Sequence, residues 1–550
     1  MMFFKKILDG QSKNITGAAI ILAAAALASR FLGLIRDRIL AHYFGAGPLM
    51  DAYWAAFKIP DLIYNLLILG ALSAGFIPIF TKLYNEKKLG LLENKERKNA
   101  WELVSNIINT LGVLLIILTA VLIILTPYLM PLVAPGFDND KKALTVMLSR
   151  IMFLSPILLG FSAIAGSVLQ SMRNFFIYSL SPILYNVGII IGAVILVPIL
   201  GDAGLAWGVV LGAGLHLLIQ LPSLYRSGYR YCAKWNWRDP SLRLIAKLSL
   251  PRALGLAANQ VNLIVITALA STLAAGSIAV YNYALNIQTF PVGFIGISFA
   301  IAAFPTLSLL ATKNDKGELI KSFSETARQI LFFIIPLSVI VLMLRAQIVR
   351  VILGSGQFDW DATIRTSDTL AFFALSLFAQ ALVPLLCRVF YALENTKTPF
   401  WISVATVTLN IILSWSFTQK LFGVEGLALA FSISSVFNLI MLWVFLRDDL
   451  GSLDEINILP ALYKMSVPAI FMGLTIQFLK SVIANLVDMH TFLGIFTQGL
   501  TAGLAGLIVY VAAGLFLKSK EMEIFVATIK NKFVNRKNLP ADITDLNQTV

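Results

Sequence analysis

The chain has 550 residues, of which 58% are hydrophobic and 13% are charged, and its mean hydropathy is +0.82. Soluble domains carry about 25% charged residues, so this composition excludes an ordinary soluble protein. The net charge of +14 is better explained by basic loops on the inner side of a membrane than by nucleic-acid binding. We therefore predict an all-α polytopic membrane protein.

A membrane-spanning helix needs about 20 mostly apolar residues, and about fourteen such stretches can be placed along the chain. They are expected to start near residues 15, 49, 103, 145, 176, 203, 249, 278, 329, 366, 399, 424, 458 and 493. The segment "MMFFKKILDGQSKNITG" has no signal-peptide cleavage site, so the first span is expected to remain in the protein.

Alternate connections carry most of the 43 Lys and Arg residues, which predicts a multi-pass protein with both termini in the cytoplasm. Arg345, Arg350 and Arg365 fall in an outer connection and fit this rule poorly. Cys232 and Cys387 are far apart in sequence, so neither a disulfide framework nor a metal cluster is expected.

A weak internal repeat divides the chain. "FGAGPLMDAYWAAFKIP" (44–60) parallels "AAGSIAVYNYALNIQTFP" (274–291), and three other pairs of segments follow in the same order. Two related six-helix lobes with the same orientation are therefore expected. The predicted parts are a cytoplasmic N-terminus (1–14), an N-terminal lobe (15–228), a basic cytoplasmic linker (229–248), a C-terminal lobe (249–447), an extra helix pair (458–518) and a cytoplasmic tail (519–550).

The second half of the first span is charged, in "ASRFLGLIRDRILAHYFG". At 100° per residue Arg30 and Asp37 share one helix face, while Arg36 and Arg38 flank it. Charges at membrane depth are costly and are retained where they face a partner or a water-filled cavity. A cavity role is favoured for Arg30, while Arg36 and Arg38 could instead reach the outer lipid headgroups.

Further polar residues lie on other predicted spans. Asp51 and Lys58 are either ligand contacts or an ion pair, and Lys58 could pair with Asp61 instead. The second half repeats this pattern on two helix faces. These faces carry Arg252, Asn259 and Asn262 in one case and Asn282 and Asn286 in the other. Together these positions predict a cationic cavity for a negatively charged ligand, because guanidinium groups suit phosphate recognition.

The motifs "SRFLGLIRD", "FGAGPLMDAYWAAFKIP" and "FIPIF" resemble the signature of the MurJ/MviN family of lipid II flippases, within the multidrug and oligosaccharidyl-lipid exporter superfamily. The likeness extends from about residue 14 to 450 and includes "PRALGLAANQVNLIV" and "FYALENTKTPF". The resemblance implies fourteen helices: two six-helix lobes around a central cavity and a final pair that forms a groove for the lipid tail.

The resemblance also implies movement of an undecaprenyl-pyrophosphate-linked peptidoglycan precursor from the inner to the outer leaflet of the bacterial cytoplasmic membrane. Arg30, Arg36 and Asp37, with Asp51 and Lys58, match functional positions of the family. Many members have arginines where this chain has Tyr64 or Asn65 and Asn286. No Asp or Glu occurs in 249–275 or 399–422, so the sodium site of some relatives is not expected.

We expect a monomer without cofactors that is driven by the membrane potential, with membrane lipids and cell-wall synthesis proteins as further partners. The alternatives are a flippase for another lipid-linked oligosaccharide, a drug exporter and a membrane glycosyltransferase. Drug export does not require a cluster of cations. An enzyme is disfavoured because the three histidines are scattered and the sequence has no metal or P-loop motif.

Overall fold

The computed structural model describes residues 15–69, 75–85, 94–172, 174–313, 315–420 and 423–534, and these residues form helices joined by turns and irregular connections. The predicted N-terminus (1–14) and the end of the predicted tail (535–550) lie outside the described residues. The first eleven helices are α1 (Ile15–Phe44), α2 (Pro48–Ala56), α3 (Lys58–Ile63), α4 (Ile77–Asn85), α5 (Asn94–Val133), α6 (Asn139–Met152), α7 (Leu154–Ser171), α8 (Phe175–Ile191), α9 (Val197–Leu200), α10 (Ala203–Leu218) and α11 (Leu221–Arg226). The other helices are α12 (Pro240–Ser271), α13 (Ser277–Pro291), α14 (Ser298–Thr312), α15 (Lys316–Met343), α16 (Arg345–Ile352), α17 (Trp360–Ala374), α18 (Leu377–Ala392), α19 (Lys397–Lys420), α20 (Val424–Leu450), α21 (Glu455–Ala484), α22 (Phe492–Phe516) and α23 (Lys520–Val534).

Ten spans within the described residues are long and apolar enough to cross a membrane, or eleven if α17 and α18, which meet at 47°, form one bent span. The all-helical, multi-pass prediction is confirmed, although about fourteen spans were expected. The expected spans near 15, 49 and 249 are not among these ten or eleven. The first is the charged helix α1, the second is broken into α2 and α3, and the apolar part of the third is only Ala257–Ser271.

The chain packs as two compact units. The first unit comprises Met1–Phe290, Val349–Phe373 and Phe400–Ser434. Its core includes a run of aromatic rings in which Phe80 lies 5.4 Å from Phe76 and 5.6 Å from Trp101, measured between ring centroids. The lobe boundaries inferred from the sequence repeat stay a prediction.

Helices α8 and α10 of this unit pack with their backbones in close contact. A Cβ atom added to Gly188 would lie 2.2 Å from the Cα atom of Gly212, and one added to Gly192, which begins the π-helical stretch after α8, would lie 2.4 Å from the Cα atom of Gly208. Small residues permit such close approach between membrane helices, where packing rather than water exclusion drives association. These glycines thereby fix the position of α8.

The second unit comprises Pro291–Ile348, Ala374–Pro399 and Ser435–Val550. Within it, α15 packs against α21, and α21 packs against α22. Buried hydrogen bonds join the pair to α16, the helix after α15: Gln347 of α16 donates a 2.8 Å bond to Gln498 on α22, which donates a 2.7 Å bond to the carbonyl of Lys480 on α21. The expected extra helix pair is therefore attached to α15 by packing and to α16 by hydrogen bonds.

Two prolines at corresponding positions of the sequence repeat precede irregular helix. Pro60 in α3 is followed by a π-helical stretch at Tyr64–Leu69, and Pro291 at the end of α13 is followed by another at Val292–Ile297. Proline removes a backbone donor, and π-helical stretches frequently mark functional positions in helices.

Candidate functional site

A buried ion pair forms the centre of the charged cluster on α1. Arg36 donates to Asp37 through Nε at 3.0 Å and Nη2 at 2.8 Å, and the Asp37 side chain is only 3% exposed. The other Asp37 oxygen accepts a 2.8 Å hydrogen bond from Nδ2 of Asn286 on α13. Because both carboxylate oxygens have donors, Asp37 neutralises Arg36 and joins α1 to α13.

Asn186 on α8 holds the opposite side of the same guanidinium. Its Oδ1 accepts a 3.1 Å hydrogen bond from Nη1 of Arg36, and its Nδ2 donates a 3.1 Å bond to the Pro182 carbonyl. This carbonyl is within reach because Asn186 follows Pro182 by one helical turn inside α8. The sequence analysis missed Asn186, although the "SPILYN" segment contains both residues.

Arg30 lies two helical turns before Asp37 on the same face of α1 and makes fewer hydrogen bonds than Arg36. Its Nη1 donates a 3.2 Å hydrogen bond to the carbonyl of Thr289 on α13. A guanidinium has five N–H donors, and the described residues accept one bond from Arg30, so most of its donors are available to a ligand as far as the structure describes the chain. Arg30 and Asp37 both bond to α13, which confirms the shared helix face expected from their spacing.

Lys58 and Asp61 lie at the break between α2 and the π-helical stretch. Within the part of the chain that the structure describes, no hydrogen bond or ion pair involves the Lys58 ammonium, and Asp61 is the acidic group that interacts with it electrostatically. The expected alternative pairing of Lys58 with Asp51 is not found, because Asp51 bonds elsewhere. Lys58 is thus a second available cation.

Asp51 joins α2 to the start of α13. Its carboxylate accepts backbone N–H bonds from Gly276 at 2.6 Å and Ala279 at 3.1 Å, and lies 3.5 Å from the Lys141 ammonium. A carboxylate at a helix N-terminus satisfies free N–H groups and the positive end of the helix dipole. Gly276 has φ +86°, and a Cβ there would lie 1.9 Å from the Ala46 carbonyl oxygen, so the two segments touch.

Further contacts surround Asp51 on the side predicted to be extracytoplasmic. Arg38 donates to the Val351 and Ile352 carbonyls, and the His42 carbonyl accepts a 2.9 Å bond from the Gln357 N–H. Arg365 donates a 3.1 Å bond to the Ala275 carbonyl. These bonds give Arg365 a structural role, which accounts for a basic residue in an outer connection.

The remaining predicted site residues are spread more widely. Asn262 is buried and accepts a 3.1 Å hydrogen bond from Asn410 on α19. Asn282 donates within α13 to the Ile278 carbonyl at 2.7 Å, while Asn259 is exposed. The Arg252 side chain lies outside the described part of the structure. Only Asn286 of the predicted asparagines therefore contacts the charged cluster.

An apolar cavity of about 570 Å³ lies within the second unit. Its walls come from α15, α18, α20 and α21, and include Leu331, Phe378, Trp443 and Leu462, with two serines among the lining residues. Helix α21 lines this cavity and α22 does not, so the expected groove formed by the final helix pair stays a prediction.

Comparisons with known proteins agree with this arrangement. A family model described as "Lipid II flippase MurJ" matches residues 40–497. A probable lipid II flippase MurJ of Buchnera aphidicola subsp. Acyrthosiphon pisum is 32% identical over 433 residues, covering 78% of this chain and 83% of that protein. A lipid II flippase MurJ of Burkholderia cenocepacia is 27% identical over 442 residues, covering 79% and 84%.

Solved structures show the same fold. A structure titled "Lipid II flippase MurJ, inward closed conformation" matches with a TM-score of 0.74 at 24% identity, covering 92% of this chain and 100% of that one. An inward-facing transporter of the MATE family matches with a TM-score of 0.63 at 15% identity, covering 80% and 99%.

Proposed function

Since the chain belongs to the lipid II flippase MurJ family, we propose that it moves lipid II from the inner to the outer leaflet of the cytoplasmic membrane by alternating access. The observation that carries the proposal is the charged cluster on α1. Arg36, Asp37, Asn186 and Asn286 form a fixed polar unit, beside which Arg30 retains donors for an anionic group.

The pyrophosphate binds first to Arg30 and then to Arg36. Arg30 spends one donor on a backbone carbonyl, whereas Arg36 is neutralised by Asp37. A pyrophosphate oxygen that approaches Arg36 competes with Asp37, which is also hydrogen-bonded to Asn286 on α13. Substrate binding is thereby coupled to the contact between α1 and α13. Charge-assisted bonds of this kind contribute about 1.5–3 kcal/mol each.

The contacts around Asp51 act as the outer gate. Asp51, Arg38 and Arg365 join segments that the basic-loop pattern assigns to the outer surface. In the cycle these bonds break when the headgroup is released outside and re-form when the protein resets. The membrane potential, negative inside, favours outward movement of negative charge by about 2.3 kcal/mol per charge per 100 mV.

The polyprenyl tail stays in the membrane while the headgroup crosses. The cavity lined by Leu331, Phe378, Trp443 and Leu462 has the apolar walls that an isoprenoid chain requires. Both termini are placed in the cytoplasm in this scheme. The protein works without a cofactor, as a monomer, with cell-wall synthesis proteins as partners.

Growth of a bacterium depleted of its own lipid II flippase tests the proposal. The chain should restore growth, Arg30→Ala should not, and Arg150→Ala should, at matched expression. Arg150 is the control because it donates to the Ile123 carbonyl, away from the cluster. Losing one charge-assisted bond of about 1.5–3 kcal/mol corresponds to a roughly 10- to 150-fold weaker binding of lipid II.

The possible outcomes separate the two parts of the proposal. Rescue by both the wild type and Arg30→Ala would remove Arg30 from the site. Failure of a wild type that is well inserted in the membrane would contradict lipid II as the substrate and favour another lipid-linked oligosaccharide.

A further inference from the structure

Two tryptophan rings stand out on the connection between α11 and α12. Trp235 and Trp237 stack on each other with ring centroids 5.2 Å apart and an interplanar angle of 25°. Their exposed fractions are 52% and 62%. Large aromatic side chains in such an exposed cluster mark a contact with a partner or a membrane.

Hydrogen bonds to α5 fix the backbone that carries the two rings. The backbone of Asn236, between the two tryptophans, donates a 2.8 Å hydrogen bond to Asn106 and accepts a 3.0 Å bond from it. Asn109 donates a 2.8 Å bond to the Lys234 carbonyl. With this backbone bound to α5, the two rings on either side of Asn236 are left exposed and stacked on each other.

An ion pair adds to this attachment. Lys234 donates a hydrogen bond to the Glu102 carboxylate on α5, and this bond raises the pKa of Lys234 above its usual value. The connection is thus attached to α5 at four residues within two turns, Glu102, Ser105, Asn106 and Asn109.

The depth of the rings follows from α5. Its exposed apolar residues extend from Leu114 to Leu132, a rise of roughly 27 Å at 1.5 Å per residue, which matches the hydrocarbon thickness of about 30 Å. Asn109 and Asn106 precede Leu114 by about 8 and about 12 Å on the same scale. This is the depth of the lipid headgroups, where tryptophan and tyrosine concentrate in membrane proteins.

The charge of the same segment complements an anionic membrane surface. Residues 226–247 contain six Lys and Arg and a single acidic residue, Asp239. Arg230 lies over the ring of Tyr225 at 3.6 Å, and Tyr225 is 60% exposed. Basic residues next to a membrane are attracted to anionic lipids, and their aliphatic stems pack on apolar surfaces.

From these observations we propose that residues 225–238 form an interfacial anchor in which Trp235 and Trp237 insert among the headgroups of an anionic leaflet. The anchor is fixed to α5 and leads directly into α12. It therefore holds the start of α12 at the membrane surface, on the side that the basic loops assign to the cytoplasm.

Depth-dependent fluorescence quenching tests the anchor in the full chain, reconstituted in vesicles of phosphatidylcholine and phosphatidylglycerol. The emission of the Trp235→Phe/Trp237→Phe variant is subtracted from that of the wild type, which isolates the pair. We expect quenching several-fold stronger with a headgroup nitroxide than with bromines at the middle of the acyl chains, and little quenching by aqueous iodide. The same subtraction with Trp101→Phe, a buried ring on α5, gives the baseline for an inaccessible tryptophan.

Three results would overturn the proposal. Strong quenching by iodide without quenching by either lipid probe would place the rings in water. Protection from iodide by N-acetylglucosamine in detergent would assign the pair to carbohydrate binding. An Asn106→Ala variant with the same ratio of headgroup to acyl-chain quenching as the wild type would show that α5 does not set the depth.

Discussion

Asp51→Asn is expected to open the outer gate. The carboxylate accepts two backbone N–H bonds, from Gly276 and Ala279, and lies next to Lys141. An asparagine has a single acceptor oxygen, so one bond is lost and an amino group faces a backbone donor. Losing one charge-assisted bond and leaving a buried N–H unpaired costs about 2–4 kcal/mol. This cost shifts the equilibrium between closed and open gate by roughly 30- to 700-fold.

Pulsed electron spin resonance measures this shift directly. Spin labels replace Tyr43 and Ala274, which are exposed and flank the contact, after Cys232 and Cys387 have been changed to serine. We expect one short distance in the wild-type gate and a second, longer distance that dominates in Asp51→Asn.

Asp138→Asn is the matched control. Asp138 also accepts a backbone N–H, from Lys141 at 2.8 Å, but it caps the start of α6, whereas Asp51 caps the start of α13. An unchanged distance distribution in Asp51→Asn would refute the assignment of Asp51 to the gate. The same opening in Asp138→Asn would show that any lost helix cap has this effect.

Two further predictions concern α8. Asn186→Ala should weaken lipid II binding by roughly 10-fold or more, since a hydrogen bond to a charged group contributes about 1.5–3 kcal/mol. The control, Asn282→Ala, loses only a bond within its own helix and should bind lipid II normally. Equal affinities of the two variants, measured by native mass spectrometry, would contradict the role of Asn186. Gly188→Ala should lower the melting temperature sharply because its Cβ would overlap Gly212. Gly214→Ala meets no atom within 4 Å and should melt like the wild type, so equal melting of the two variants would refute close packing of α8 on α10.

Hydropathy and helical periodicity sufficed for much of the fold because they are local properties of the chain. Each apolar span found among the described residues overlaps an expected one, and the starts agree within six residues except for α15, which begins at Lys316 instead of near 329. The spacing of Arg30 and Asp37 likewise predicted that they share one face, and both bond to α13. The expected spans near 15, 49 and 249 are not among the apolar spans of the structure, because charges, a helix break or polar residues interrupt their apolar stretches. These three segments carry most of the predicted site residues.

The sequence by itself thus determined which residues form membrane helices and which helix faces carry charge, because burial in lipid selects residues one helix at a time. Only the tertiary structure decided their partners. Asn186 reaches Arg36 across 150 positions, and Asp51 reaches Gly276 across 225. A hydrogen bond depends on which helices pack together, and helical periodicity gives the direction of a side chain but does not identify the group that it meets.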